Sequence, residues 1–182
     1  MSQPLAQPHT IYLSLGTNLG DRRANLQQAL RRLPAGLNIV AISPVYETPP
    51  WGMVAQPAFL NLCLSAETKL TPRALLTFLK KLETELGRVT AQRWGPRLID
   101  IDILFYDDLV YEDDVLTIPH PSLAERAFVL GPLRDIAPGL RHPRTGRSVA
   151  EMAAAIDLNG LAPAGFSFLT EQYHEQNCAE LG

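Results

Sequence analysis

Two aspartates, Asp100 and Asp102, stand in an otherwise apolar run in which Ile99, Ile101, Ile103 and Phe105 alternate with Asp100, Asp102 and Leu104. In a strand, successive side chains point to opposite faces, so both carboxylates share one face, about 6.6 Å apart along the backbone. So apolar a strand is expected in the middle of a sheet, where bare charge is costly and a carboxylate needs a partner or a metal. The competing reading is a solvated face with two ordinary surface charges. A metal drawn to an all-oxygen site is a hard cation such as Mg2+, which completes its shell with waters and phosphate oxygens. Arg88, Arg93 and Arg97 lie in the ten residues just upstream, and guanidinium forks fit phosphate oxygens two at a time. Arginines alone would be only a basic loop. Beside cation-binding carboxylates they point to a metal-bound polyphosphate.

A second constellation joins Tyr46, Thr48, Pro49, Pro50 and Trp51 to Phe59 and Asn61. Aromatic faces mixed with amide and hydroxyl groups suit a flat heterocycle, stacked on its faces and hydrogen-bonded at its edge. Each aromatic taken singly is as readily a core residue. A third runs from Thr117 through Pro119-His120-Pro121 to Arg126 and Phe128. There His120 either donates to a phosphate or caps the helix that follows. His9, His142 and His174 carry no partner pattern. Cys63 lies in an apolar run and reads as core, Cys178 is in a polar tail, and no Cys or His spacing suggests zinc.

The elements that must position these groups follow from periodicity. Residues 10–16 alternate as a strand, and Asn18-Leu19-Gly20-Asp21 turns into a helix with Leu26, Ala29, Leu30 and Leu33 on one face. Residues 37–46 form a second strand, 48–57 a proline-rich loop, and 59–68 a third strand. Thr71 caps a second helix with Pro72 in its first turn, and its stripe is Leu75, Phe78, Leu79, Leu82 and Leu86. With residues 98–106 as the fourth strand, the order is β-α-β-β-α-β, the ferredoxin-like arrangement of α+β domains. The C-terminal third is less regular: a short strand pair over 111–118, a brief helix from Ser122, and a capping box at Ser148 and Glu151. The domain spans 10–157 with a C-terminal extension of short strands and helices; 1–9 and 158–182 read as mobile terminal segments.

The chain has 182 residues, 46% of them apolar, with 16 basic against 19 acidic side chains. That suits one soluble domain. A net charge of −3 argues against nucleic acid as a partner, since phosphate-backbone binding needs a basic face. Residues 1–10 have no signal-peptide character and 48–66 are broken by three prolines, so no membrane association is expected and the location is cytoplasmic.

Gly16-Thr17-Asn18-Leu19-Gly20-Asp21, Thr48-Pro49-Pro50, Phe59-Leu60-Asn61, Gly87-Arg88, Arg93-Trp94-Gly95-Pro96-Arg97 with Asp100 and Asp102, Pro119-His120-Pro121 and Arg126-Ala127-Phe128 stand in this order. Together they closely resemble the 6-hydroxymethyl-7,8-dihydropterin pyrophosphokinase family of folate biosynthesis, over residues 10 to 157. The run from Arg93 to Asp102 is the most specific part. The resemblance implies transfer of pyrophosphate from ATP to the pterin's hydroxymethyl group, giving AMP and a pterin diphosphate. It implies two Mg2+ ions held by Asp100 and Asp102, and small-molecule substrates handled by a monomer. Arg88, Trp94, Arg97, His120 and Arg126 would meet the ATP phosphates, with Arg88 and Arg97 serving catalysis. Ile103 and Thr117 would border the adenine, and Glu83 would sit close to the nucleotide. Thr48, Pro49, Trp51 and Asn61 would line the pterin pocket, with Phe59 and Phe128 stacking on its two faces. Thr90, Val115 and Pro121 depart from residues found in some members.

Two rival readings make distinct demands. Nucleotidyl transferases also use a Gly-Ser/Thr turn with an Asp-x-Asp pair, but about one helix apart, whereas Gly16 and Asp100 are 84 positions apart. A non-catalytic ferredoxin-like regulatory domain would need neither the arginine loop nor the aromatic pocket.

Overall fold

A computed structural model of the chain describes residues 7–49, 56–87 and 98–174. Strand β1 (His9–Thr17) lies between β4 (Phe59–Thr68) and β5 (Asp100–Tyr106) and is antiparallel to both. On the far side of β4, β2 (Asn38–Ile42) and β3 (Tyr46–Thr48) pair with it in succession. The order is β5-β1-β4-β3, with β2 also on β4. Helix α1 (Arg22–Arg32) is capped by Asp21, whose Oδ1 accepts the Ala24 N–H at 2.9 Å. Arg31 and Arg32 close its last turn, where positive charge suits the helix dipole. Helix α2 (Pro72–Glu85) starts at Thr71 with Pro72 first, where a missing N–H costs nothing.

The alternation of β1 splits the molecule into two cores. Ile11, Leu13 and Leu15 join Leu60, Leu62 and Leu64 of β4, Leu26, Ala29 and Leu30 of α1, and Leu75, Leu79 and Leu82 of α2 in one buried cluster. On the other face Cys63 packs with α3 (Ala127–Ile136) and α4 (Val149–Ala154) through Val129, Leu130, Leu133 and Met152. Burial pushes the Cys63 thiol up, and its Sγ–H is directed at the Val129 carbonyl. The capping box of α4 is complete, with Ser148 Oγ on the Glu151 N–H and Glu151 Oε2 on the Ser148 N–H. A two-stranded ribbon, β6 (Tyr111–Glu112) with β7 (Thr117–Ile118), lies beside β5.

Five features differ from the expectation. The strand over 37–46 is broken: Pro44 cannot donate to the ladder, and buried Ser43 Oγ accepts the Cys63 N–H instead. Second, β5 lies at an edge of the sheet. Its outer side is covered by the Glu83 carboxylate on the Ile101 N–H and by the His120 N–H on the Leu104 carbonyl, which lets an edge strand be as apolar as a central one. Third, the ladder slips between Tyr12 and Leu13, where Leu104 is the extra residue. That bulge turns Phe105 away from Ile101 and Ile103 and into the α3 core. Fourth, α3 forms although Gly131 and Pro132 would ordinarily end a helix, because it buries Val129, Leu130 and Leu133 against β4.

Fifth, the described residues beyond Asp157 fold back on the domain. β8 (Ala162–Pro163) pairs with β3, and Phe168 and Tyr173, the latter in the single turn α5 (Glu171–His174), are buried in the first core. A side chain at Gly131 would place its Cβ 2.3 Å from Leu161 Cδ1, so the bare glycine leaves room for the Leu161 side chain against α3. Likewise His9 has a partner, its Nδ1 within hydrogen-bond distance of Asp107 Oδ2 at 2.7 Å.

Candidate active site

Register does most of the assembly. Asp100 of β5 is opposite Gly16, Gly16 is opposite Asn61 of β4, and Asn61 is opposite Tyr46 of β3, one row across four strands. The next row holds Asp102, Ser14 and Cys63. Residues opposite one another across a ladder point to the same face. Asp100, Asp102, Asn61 and Phe59 therefore share the face that α3 covers beyond them. Neighbouring strands lie about 4.8 Å apart, so Asp100 and Asn61, two strands apart, are separated by about 10 Å. Between them Gly16 offers no side chain. A Cβ there would stand 3.0 Å from Asn61 Oδ1 and 4.0 Å from Phe59 Cδ1. The row is a carboxylate end and an amide-aromatic end joined by a bare floor.

At the amide end, Asn61 is 3% exposed and its Nδ2 donates to Thr48 Oγ1 at 2.8 Å. Thr48 is opposite Phe59, whose ring is half-buried. Pro49 is exposed, with its ring beside Gly160. Tyr46 closes the row: its hydroxyl donates to Asp135 Oδ2 of α3 at 2.6 Å, and that bond pushes the phenol up to about 12.

At the carboxylate end, Arg126 Nη1 donates to Asp102 Oδ2 at 3.3 Å, and His120 Nε2 stands 3.9 Å from the same oxygen. His120 Nδ1 accepts the Ser122 N–H, which assigns the proton of the neutral ring to Nε2. Burial is the main cause that lowers the His120 pKa. Arg126 adds to it, while Asp102 and Asp100 oppose it. His120 is thus a neutral Nε2–H donor facing the carboxylates, poised for an anion. The Arg126 guanidinium also lies over the Phe128 ring, 5.6 Å from its centroid, at the start of α3. Among the described residues no group of three His, Cys, Asp or Glu side chains could cage a metal. Two carboxylates on one partly exposed strand face fit Mg2+, which usually takes one or two carboxylates and fills its shell with phosphate and water.

The other nucleotide-side positions fall elsewhere. Ile103 is in the first core, on the face opposite the carboxylates, and Thr117 is half-buried on β7 beside β5. Glu83 is fully buried; its Oε1 accepts the Ile101 N–H at 2.7 Å and the Lys80 ammonium at 2.9 Å. It ties α2 to the peptide between the two aspartates. Glu83→Ala leaves that buried N–H unmatched, and the expected loss is about 1–3 kcal/mol, a fall in melting temperature of roughly 2–12 °C. The half-exposed Lys80 returns to water, so the larger penalty of a broken buried pair does not apply. Glu83→Gln, which keeps the acceptor, should recover most of it; equal melting temperatures for wild type and Glu83→Ala would refute the strut. Arg88, Trp94 and Arg97, as well as Arg93 and Trp51, lie outside the described residues. Arg22 and the side chain of Asn18 contact Gln56, Pro57 and Ala58. No periodicity marks them.

A small α+β domain that lines up paired carboxylates, cationic and imidazole donors, and a buried amide beside an aromatic ring has the parts of a phosphotransferase. The family model described as 7,8-dihydro-6-hydroxymethylpterin-pyrophosphokinase (HPPK) matches residues 12–138. A 2-amino-4-hydroxy-6-hydroxymethyldihydropteridine pyrophosphokinase from Methylorubrum extorquens is 46% identical over 152 residues, 82% of this chain and 95% of that protein. One of the same name from Aquifex aeolicus is 47% identical over 134 residues, 74% and 84% of the two chains. Among solved structures, wild-type HPPK-DHPS of Plasmodium falciparum matches with a TM-score of 0.66 at 18% identity, over 82% of this chain and 41% of that one, a likeness of fold. The chain belongs to the HPPK family. It is an enzyme of folate biosynthesis that transfers pyrophosphate, with ATP as co-substrate. The regulatory-domain alternative falls with that membership. Among the described residues no helix is long and apolar enough to cross a membrane.

Proposed function

We propose that the row from Asp100 through Gly16 to Asn61 is the reaction axis, with the pterin at the Asn61 end and the ATP phosphates at the Asp100 end. The support for this reading is the register itself, which sets a heterocycle-sized floor between an oriented amide and a carboxylate pair. Asn61 and Thr48 read the pterin edge, and Phe59 and Phe128 stack on its faces, with Pro49 and Trp51 lining the pocket. Asp100 and Asp102 would hold two Mg2+ ions, which when bound neutralise charge on the triphosphate oxygens. His120 and Arg126 donate to phosphate oxygens from the Asp102 side, and Arg88, Trp94 and Arg97 from the segment before β5. Thr117 borders the nucleotide from beyond β5, whereas the side chains of Ile103 and Glu83 are buried and support that side from within. The hydroxymethyl oxygen bonds to the β-phosphorus as the bond from that phosphorus to the α–β bridging oxygen breaks, so AMP leaves in line with the bridging oxygen and the hydroxyl proton is released to solvent. Catalysis is positioning and charge neutralisation.

The strand order β5-β1-β4-β2 favours the ferredoxin-like arrangement. We take the domain read at 10–157, with the described residues as far as His174 packed on it, as a single pyrophosphokinase unit working as a cytoplasmic monomer on small molecules. Incubation with ATP, Mg2+ and 6-hydroxymethyl-7,8-dihydropterin should yield AMP and pterin diphosphate in equal amounts, separated by anion-exchange chromatography, and chelation of the metal should stop it. ADP as product, or ATP turnover without the pterin, would overturn this scheme.

A further inference from the structure

The connection from Thr48 to Phe59 starts and ends on residues of the proposed pterin pocket, which are opposite one another in the ladder. Both ends are held by one side chain. Arg22 Nη1 donates to Glu47 Oε1 at 2.9 Å and to the Ala58 carbonyl at 2.8 Å. Glu47 precedes Thr48, and Ala58 precedes Phe59. The neighbouring turn extends the grip along the returning leg: Asn18 Nδ2 donates to Gln56 Oε1 and to the Pro57 carbonyl, each at 3.2 Å. The clamp itself is rigid. Asn18 is 1% exposed, Asn25 Nδ2 ties the turn at the Leu19 carbonyl and Thr17 Oγ1, and Asp21 caps α1 one residue before Arg22.

We infer that Arg22 is a positioning residue for the pterin pocket, its guanidinium shared between Glu47 and the Ala58 carbonyl so that Thr48 and Phe59 are presented at one fixed separation. Arg22 is bonded to the residues beside Thr48 and Phe59, so it acts through them and not on the ligand. The pair with Glu47 is 29% and 42% exposed. Such a pair is worth little to global stability, and its effect should fall on the local geometry it spans. The inference rests on the pocket reading above, and the test separates the two.

Pterin affinity without ATP, followed by ligand fluorescence, and steady-state constants are measured for Arg22→Ala, Arg22→Lys, Glu47→Gln and Asn61→Ala. Arg22→Ala should weaken pterin binding and raise its KM roughly ten-fold, below the ~10² that a 1 Å misplacement can cost. Its kcat and its KM for ATP should stay within about two-fold, and its melting temperature within about 3 °C, as for a surface pair. Arg22→Lys should recover part of the loss, because both acceptors are met by the single nitrogen Nη1 and an ammonium on a shorter side chain reaches that point less well. Wild-type pterin affinity should fall between low and high salt, and Glu47→Gln should remove most of that salt dependence. Unchanged pterin affinity in Arg22→Ala, with affinity lost in Asn61→Ala, overturns the role of Arg22 and leaves the pocket standing. Unchanged affinity in Asn61→Ala overturns the pocket and this inference with it. If Arg22→Ala does not fold, full pterin affinity and an unaltered salt dependence in both Arg22→Lys and Glu47→Gln refute the clamp.

Discussion

Asp100→Ala and Asp102→Ala should each lose on the order of 10³-fold or more in kcat while remaining folded. The comparison is the loss of one charge-stabilising arginine in phosphoryl transfer, about 10³–10⁵-fold. Both side chains are partly exposed on an edge strand, so neither carries the core. Asp102 also accepts from Arg126, whose Nε is buried and has no partner among the described residues. Removing the carboxylate leaves that guanidinium poorly matched and should cost some stability in Asp102→Ala. Asp102→Asn separates the two roles, since the amide oxygen still accepts from Arg126 but brings no negative charge. Its melting temperature should approach that of the wild type while its turnover stays as low as that of Asp102→Ala. Circular dichroism and steady-state assays at fixed Mg2+ decide it. Near-native turnover in Asp102→Asn would exclude a charge-dependent metal role for Asp102.

Arg97→Ala should lower kcat by about 10²–10⁴-fold, between the loss of an oxyanion donor and that of an arginine finger. Position 97 immediately precedes Leu98, which sits against Gly20 and Gly87, and buried Ile99. The chain is thus anchored one residue away, and Asp100 follows three residues on. Arg88 adjoins Gly87 at the other end of the segment, and Arg93 is further from either end in sequence. A guanidinium starting from a fixed point can be aimed at charge that grows during transfer, and its removal then falls on kcat. If it only gripped ground-state ATP, KM would rise with kcat unchanged. Arg97→Lys should recover little, because a point charge does not reproduce a two-pronged contact. A pure KM effect, or full rescue by lysine, would refute the transition-state role.

Features that depend on neighbours within about four residues were legible in the sequence. The alternation of β1, the caps at Asp21, Thr71 and Ser148, and the common face of Asp100 and Asp102 all follow from strand and helix periodicity and from local hydrogen bonds. The chemical types at the site were legible too, because Asp-x-Asp, the arginines and the Asn-aromatic cluster are contiguous motifs.

Placement was decided by the tertiary structure. Gly16 meets Asp100 across 84 positions and Asn61 across 45, and a slip of one residue in either ladder would turn a whole strand over. The Leu104 bulge and the edge position of β5 depend on which partners cover its outer side, and α3 survives its Gly-Pro step only because β4 lies beneath it. Phe166, Phe168 and Tyr173 were the one signal that residues beyond Asp157 pack, but aromatic type alone names no partner. Arg22 carries no local signature, since its two acceptors lie 25 and 36 residues away and are adjacent only after β3 and β4 have paired. Local preference selects each element, whereas burial of the whole sheet selects the register, and the register is what makes a site of the motifs.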